Sequence, residues 1–269
     1  MLKSETQYTK IPAKSNFRIL RPIFITVAIA AAATVWGCPG GGPRKAAPPP
    51  TPPGPGASVA AGATSITIHS SPGVAFGDVI FAYVGTQSAS AIDVTTPTGW
   101  TLISGPLTQG GIQSYLFQRI SDGTDGASYT FDFSGAVTGV GYASQITYRG
   151  VNNTTPVDGS VTTASQVSGT SLALPAVSPA GSADLLVAFI QDYGGFSGTA
   201  AINGMTLESS AVFDIFDQQL TASGSTGTKT CTNLNSSVST GFLFAVTPSG
   251  GVIQPINLSG NNSLSPGDR

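Results

Sequence analysis

The chain has 269 residues, including 34 Gly and 19 Pro, and only 11 Lys and Arg against 13 Asp and Glu. Hydrophobic residues at 40% exclude a wholly disordered chain, and 9% charged residues exclude a coiled coil or a solvated helical bundle. A net charge of −2 leaves no bulk positive field for nucleic acid.

The charge is unevenly spread. Residues 1–37 hold five basic side chains (Lys3, Lys10, Lys14, Arg18, Arg21) and one acid, Glu5, while the remainder holds six basic and 12 acidic ones. After Arg21, the sixteen residues Pro22 to Gly37 carry no charge. A spanning helix needs about 20 apolar residues, so this run is short, and Arg21 blocks its extension. A basic stretch, a short apolar run and then small residues form the pattern of a secretory signal. The run ends in Val35-Trp36-Gly37-Cys38, which resembles the bacterial lipoprotein signal. Val35, Gly37 and Cys38 match it, whereas Trp36 stands where a small residue is usual. The resemblance implies lipidation of Cys38 as the mature N-terminus; the alternative is an uncleaved signal-anchor helix. Either way residues 1–38 tie the chain to a membrane and the rest is exported into the bacterial cell envelope. Residues 39–57 follow as a Pro/Gly-rich spacer without a large apolar side chain. Such a segment is extended, with a reach on the order of 40–50 Å.

From residue 58 onward, period-2 alternation replaces any helical periodicity. Ile66 and Ile68 alternate with Ser65, Thr67 and His69. Val79 to Val84 is apolar on both parities, as expected of a central strand covered on both faces. Tyr129, Phe131 and Phe133 oppose Ser128, Thr130 and Asp132; Val140, Tyr142, Ile146 and Tyr148 then share one parity. Leu185 to Ile190 is a second doubly apolar run. Turn signals separate the runs at Ser71-Pro-Gly73, Thr96-Pro-Thr-Gly99, Asp122-Gly-Thr-Asp-Gly126 and Asn203-Gly204. This spacing predicts an all-β chain with a single β-sandwich or jelly-roll-like domain over 58–249. Residues 250–269 read as a disordered polar tail.

The two halves of that domain echo each other. Gly77-Asp-Val-Ile-Phe-Ala-Tyr-Val84 recurs as Ala183-Asp-Leu-Leu-Val-Ala-Phe-Ile190, and Pro97-Thr-Gly-Trp-Thr-Leu102 as Ile202-Asn-Gly-Met-Thr-Leu207. The expected domain is therefore one sandwich built from two internally similar halves. The segments Gly77 to Ile80, Thr96 to Leu102, Ala127 to Phe131, Tyr148 to Val151 and Pro156 to Asp158 resemble a family of secreted bacterial β-sandwich domains of unassigned activity. The resemblance covers roughly residues 60–247. It implies the fold, and it implies no catalytic residues.

The chemistry is restricted by what is present. His69 is the sole histidine and lies on a polar strand face, and no Gly-x-Ser-x-Gly elbow occurs. Glu208 is the only glutamate beyond residue 5, so a Glu pair is excluded, and Asp214 and Asp217 point to opposite strand faces. Asp122 and Asp125, in an Asp-Gly-Thr-Asp-Gly turn, are candidate Ca²⁺ ligands, with plain turn chemistry as the simpler account. Trp100 is replaced by Met205 in the internal echo and reads as packing. Tyr193 and Phe196 in the Gly-flanked segment after Ile190 are candidate ligand-contacting aromatics. Cys231 has no cysteine partner in the domain, which rules out a disulfide framework. No cofactor is implied.

Residues 58–249 carry 11 acids against Arg119, Arg149 and Lys229, a net −8 that disfavours acidic polymers as partners. The expected function is a membrane-tethered extracytoplasmic binding or adhesion module, for a neutral glycan or a surface protein, without catalysis. The alternatives are a self-associating subunit of a surface layer or of a virion spike or fibre, and an Asp-based carbohydrate-active enzyme.

Overall fold

The computed structural model describes residues 56–210 and 213–256, and these are all-β: sixteen strands, every pairing antiparallel, with no helix among the described residues. The expected signal or anchor, Cys38 and nearly all of the spacer lie outside the described residues.

The strands in chain order are β1 (Gly56–Val59), β2 (Ser65–His69), β3 (Val79–Gln87), β4 (Thr101–Gln109), β5 (Ile112–Ile120), β6 (Ser128–Asp132), β7 (Gly141–Arg149) and β8 (Val157–Gln166). They continue as β9 (Ser171–Leu174), β10 (Leu185–Asp192), β11 (Phe196–Ile202), β12 (Thr206–Ser210), β13 (Asp214–Gln219), β14 (Lys229–Leu234), β15 (Ser239–Val246) and β16 (Gln254–Pro255). One large sheet has the order β1-β7-β3-β5-β4, with β16 added beside β7; the other has the order β12-β13-β10-β15-β8. Two smaller sheets pair β2 with β6, and β11 and β9 with β14.

Alternation of side chains sorts the core into three layers. Val79, Phe81 and Tyr83 of β3 and Leu185, Val187 and Phe189 of β10 enter one shared layer, joined by Ile146, Tyr148, Ile215, Phe242 and Phe244. This layer holds the two large sheets face to face. The opposite parity of β3, Ile80, Ala82 and Val84, packs with Ile66, Ile68, Tyr129 and Phe131 of the β2–β6 sheet. The opposite parity of β10, Leu186, Ala188 and Ile190, packs with Leu172, Leu174, Ile202 and Cys231 of the three-stranded sheet. Central strands β3 and β10 are thus covered on both faces, the physical reason for their unbroken apolar runs. Trp100 is buried in the first outer layer, edge-on to Tyr129 at 5.1 Å and to Phe131 at 5.2 Å. Met205, its counterpart in the echo, packs against the other outer layer.

Two expected boundaries shift. Gly56 and Ala57, expected in the spacer, start β1 and pair with Ser144 and Ala143. Ile253, expected in a disordered tail, is buried in the shared layer, and Gln254 and Pro255 pair with Arg149 and Tyr148. One apolar side chain and an open sheet edge suffice to order a short polar segment.

Phe81 contacts both Tyr148 and Phe244, the latter at 4.9 Å between ring centroids. Phe81→Ala is expected to lower stability by about 3–5 kcal/mol in denaturant unfolding. Unfolding should stay a single transition, because the layer that is weakened belongs to both large sheets; two separated transitions would contradict the shared layer.

Candidate functional site

With both faces of the central strands covered, loops and sheet edges are left to meet a ligand. Among the described residues, two concavities lie on either side of the loop between β2 and β3. A cleft of about 450 Å³ is lined by Phe76, Gly77, Asp78, Arg149, Asn152 and Asn153 together with neighbouring backbone. A second, of about 350 Å³, is lined by residues 69–74 and by Gly123, Asp125, Gly126 and Ala127.

Two ion pairs fix the walls. Arg149, at the end of β7, donates from Nε to Asp78 Oδ1 at 2.9 Å and from Nη2 to Asp78 Oδ2 at 2.8 Å. The same Nη2 reaches Gly73 O at 3.0 Å, and Asp78 Oδ2 also accepts from Ala75 N at 2.7 Å. This two-pronged arrangement is the strong geometry for a guanidinium and a carboxylate. It ties the β2–β3 loop to β7, while Gly77 N donates to Ser121 O and Ser121 N to Asp78 O, tying that loop to β5.

The second pair involves both candidate calcium ligands. Arg119 Nε lies 2.6 Å from Asp125 Oδ1, and Arg119 Nη2 lies 3.5 Å from Asp122 Oδ2. Asp122 Oδ1 accepts from the amide of Thr124 at 2.9 Å and from its hydroxyl at 2.6 Å, and these bonds hold its carboxyl below the usual range. Burial opposes ionisation of Asp125, but the hydrogen bonds it accepts and the Arg119 charge outweigh burial and hold it low as well. Asp122 and Asp125 are therefore brought together, with a guanidinium bridging them. No group of three His, Cys, Asp or Glu side chains suited to a metal gathers among the described residues.

Tyr193 and Phe196 are placed apart. The Tyr193 ring meets Tyr142 edge-on at 5.6 Å. Its hydroxyl is buried over Gly85, where a Cβ would lie only 2.5 Å away. Glycine at 85 is what admits the phenol. Burial raises the Tyr193 hydroxyl well above its ordinary value. Phe196 packs instead against the outer layer that contains Cys231. Their segment is pinned by Asp192, which accepts from Asn235 N at 2.5 Å and from the Ser237 hydroxyl, and by Tyr193 N donating to Val238 O. The two rings thus serve different layers and form no common platform.

Sequence reasoning missed the carboxyl pairs. Glu208 is the extra residue in a β-bulge between Leu207 and Ser209, and it shares a hydrogen bond with Asp217 on the neighbouring strand. Tyr148 donates to Asp217 Oδ2 at 3.3 Å from the opposing sheet. Burial, followed by the Glu208 charge, raises Asp217 to about 7, and burial raises Glu208. Direct contact suits a shared proton, whereas carboxyls flanking a glycosidic bond stand roughly 5–9.5 Å apart. A second pair joins Asp158 and Asp184. Asp158 Oδ2 accepts from the amides of Ala180 and Gly181, and burial and the Asp158 neighbour raise Asp184 to about 6. Asp214 is buried on the other face of β13 from Asp217, and burial raises it to about 6. His69 is exposed at the end of β2, and Cys231 is buried and free.

No protein-family model matches the chain, and no curated protein or solved structure gives a significant match.

A carboxyl raised by folding holds its proton where the unfolded chain has released it, so its stabilising effect is present below about pH 4 and is lost as pH rises through the folded value. Asp184, Asp214 and Asp217 therefore favour the folded state in mild acid and withdraw that support between about pH 4 and 7. The lowered groups, Asp122, Asp125 and Asp158, act in the opposite sense below about pH 4. The melting temperature should peak at about pH 4 and decline up to about pH 7. Asp217→Asn should flatten the decline above pH 6 in thermal scans; an unchanged slope would remove Asp217 as its source.

Proposed function

We propose that the chain is a membrane-tethered, extracytoplasmic binding or adhesion module of the bacterial cell envelope, taking a neutral glycan or a surface protein and performing no catalysis. The observation that carries this reading is the pair of open clefts beside the β2–β3 loop, one walled by Asp78–Arg149 and the other by Asp125, which Arg119 holds from behind. A concave surface already held in shape loses little freedom when a ligand arrives. The net −8 of residues 58–249 turns away acidic polymers and leaves neutral glycans and basic proteins.

The attachment rests on the N-terminal sequence: five basic residues, the uncharged run Pro22 to Gly37, and Cys38. A lipid on Cys38 or an uncleaved helix supplies the anchor, and residues 39–55 the reach. The domain is read as two related halves, each a large sheet backed by a smaller one. Strand order supports this: β1-β7-β3-β5-β4 has the same pattern as β8-β15-β10-β13-β12 read from its other edge, and β2–β6 corresponds to β9–β14.

Mass spectrometry of the membrane-bound protein is expected to find a diacylated or triacylated Cys38 at the N-terminus. An intact Met1 would replace the lipid by the signal-anchor. Export itself is tested separately, by protease accessibility of the domain in intact cells. For the binding role, the full-length chain in detergent is expected to bind immobilised neutral glycans as a monomer. A chain that ignores glycans and assembles into defined oligomers would replace this reading by the surface-layer or spike subunit.

A further inference from the structure

We propose that the cleft between the β2–β3 loop and the turn after β7 binds one ring of a neutral sugar, stacked on Phe76 and hydrogen-bonded by Asn153, with the Asp78–Arg149 pair as its rigid polar wall. The proposal rests on the binding-module reading above and assigns its site.

Phe76 is the most exposed large hydrophobic side chain among the described residues, 81% open to solvent at the rim of the 450 Å³ cleft. The backbone around it is fixed: Ala75 N donates to Asp78 Oδ2, Asp78 N to Ala75 O and Gly77 N to Ser121 O. Gly77 adopts a φ of +85°, which sets the sharp turn that follows the ring. The main chain that carries the ring is thus held in one conformation. Packing does not require the ring, because the residue two before Asp184 in the echoed segment is Ser182. An aromatic face presented on a rigid loop is suited to the apolar C–H face of a sugar ring.

The polar groups beside it match the remainder of such a ring. Asp78 is buried and holds the half-exposed Arg149 guanidinium by two parallel bonds, so a planar, oriented array lines the cleft. Asn153 lies across from Gly77, where a Cβ would come within 3.0 Å of its Nδ2; glycine lets the amide and the loop approach. The Asn153 amide offers both donors and an acceptor, the set that a sugar hydroxyl needs. Charge selects against other ligands. Asp78 already neutralises Arg149, so an anion meets no unbalanced cation in a domain of net −8. Both Asp78 oxygens are engaged, by Arg149 and by Ala75 N, which leaves little for a metal ion. The volume lies within the range of small-ligand pockets, about 300–1,000 Å³.

The test uses the full-length chain in detergent, presented to immobilised oligosaccharides ending in glucose, galactose, mannose or N-acetylglucosamine. The wild type should bind at least one of them. Phe76→Ala should weaken that binding by at least ~10-fold with an unchanged melting temperature, and Phe76→Tyr, which keeps the ring face, should retain it. Asn153→Ala should weaken it in the same direction. Wild-type binding that survives Phe76→Ala within about twofold overturns this site while leaving the binding module intact. A wild type silent on all four sugars overturns the glycan reading and this proposal together. A silent wild type that dimerises, with dimerisation lost in Phe76→Ala, assigns the ring to self-association and likewise overturns the sugar site.

Discussion

The molecule depends on the apolar layer between its two large sheets. Phe81 meets Phe244 at 4.9 Å, Tyr83 meets Phe213 at 4.2 Å, and Phe189 stacks with Phe244 at 6.2 Å. Each fully buried aromatic side chain contributes roughly 1.5–3 kcal/mol through removal from water, so this layer outweighs any single polar contact in the structure. The layer is not purely apolar. Tyr83 donates to Ser114 at 2.5 Å and lies 2.8 Å from the Thr240 hydroxyl, while Tyr148 donates to Asp217. Apolar packing is tolerant of sliding, whereas a buried hydroxyl without its partner is costly. The two tyrosines therefore fix how one sheet is set against the other, and Tyr193 lies close enough to Tyr83 that the loop after β10 joins the same cluster.

Echoed segments solve the same buried aspartate in opposite ways. Asp78 and Asp184 each precede a doubly buried strand, and each is withdrawn from water. At Asp78 the end of β7 supplies Arg149, giving an ion pair. At the end of β15 the chain has Thr247 instead, and the facing group is Asp158, a second carboxyl. A proton must do there what a guanidinium does at the other site. The first arrangement is a two-pronged ion pair whose guanidinium is half-exposed at the surface. The second is a pair of carboxyls in which burial and the neighbouring Asp158 raise Asp184.

Much of this fold is legible in the sequence where side chains pack on two sides. The runs 79–84 and 185–190, and the alternation at 128–133, each carry the burial they were read to carry, because a strand inside a stack has no freedom to be polar. Edge strands give less signal. β4 has Ser104, Gly105 and Pro106 in its middle and two register shifts, and β8 and β11 are half-exposed with no clean alternation. The site was less legible. Tyr193 looks exposed between Asp192 and Gly194, yet its orientation is set by the vacancy over Gly85, more than a hundred residues earlier. The Glu208–Asp217 pair requires knowing that β12 and β13 form a hairpin with a bulge, and Ala211-Val212-Phe213 between them lacks every usual turn residue. Phe76, a lone aromatic between Ala75 and Gly77, has no periodicity to mark it.

The placement of cations carries one more step. Residues 58–249 have three cations for 11 acids, and two of them, Arg119 and Arg149, stand at the ends of β5 and β7 beside the β2–β3 loop. Lys229, the third, donates to Gln218 at 2.7 Å in the other outer region. Each arginine is spent on an aspartate whose side chain is almost wholly buried, Asp125 at 4% and Asp78 at 3% exposure. A structural demand for neutral cores would distribute such pairs over all the buried aspartates, but among the described residues Asp184, Asp214 and Asp217 show no ion pair and are raised by burial instead. The two arginine pairs brace the clefts on either side of the β2–β3 loop. The buried carboxyls Asp184, Asp214 and Asp217 are the groups through which the stability of the fold responds to pH, whereas its arginine ion pairs stand at the clefts.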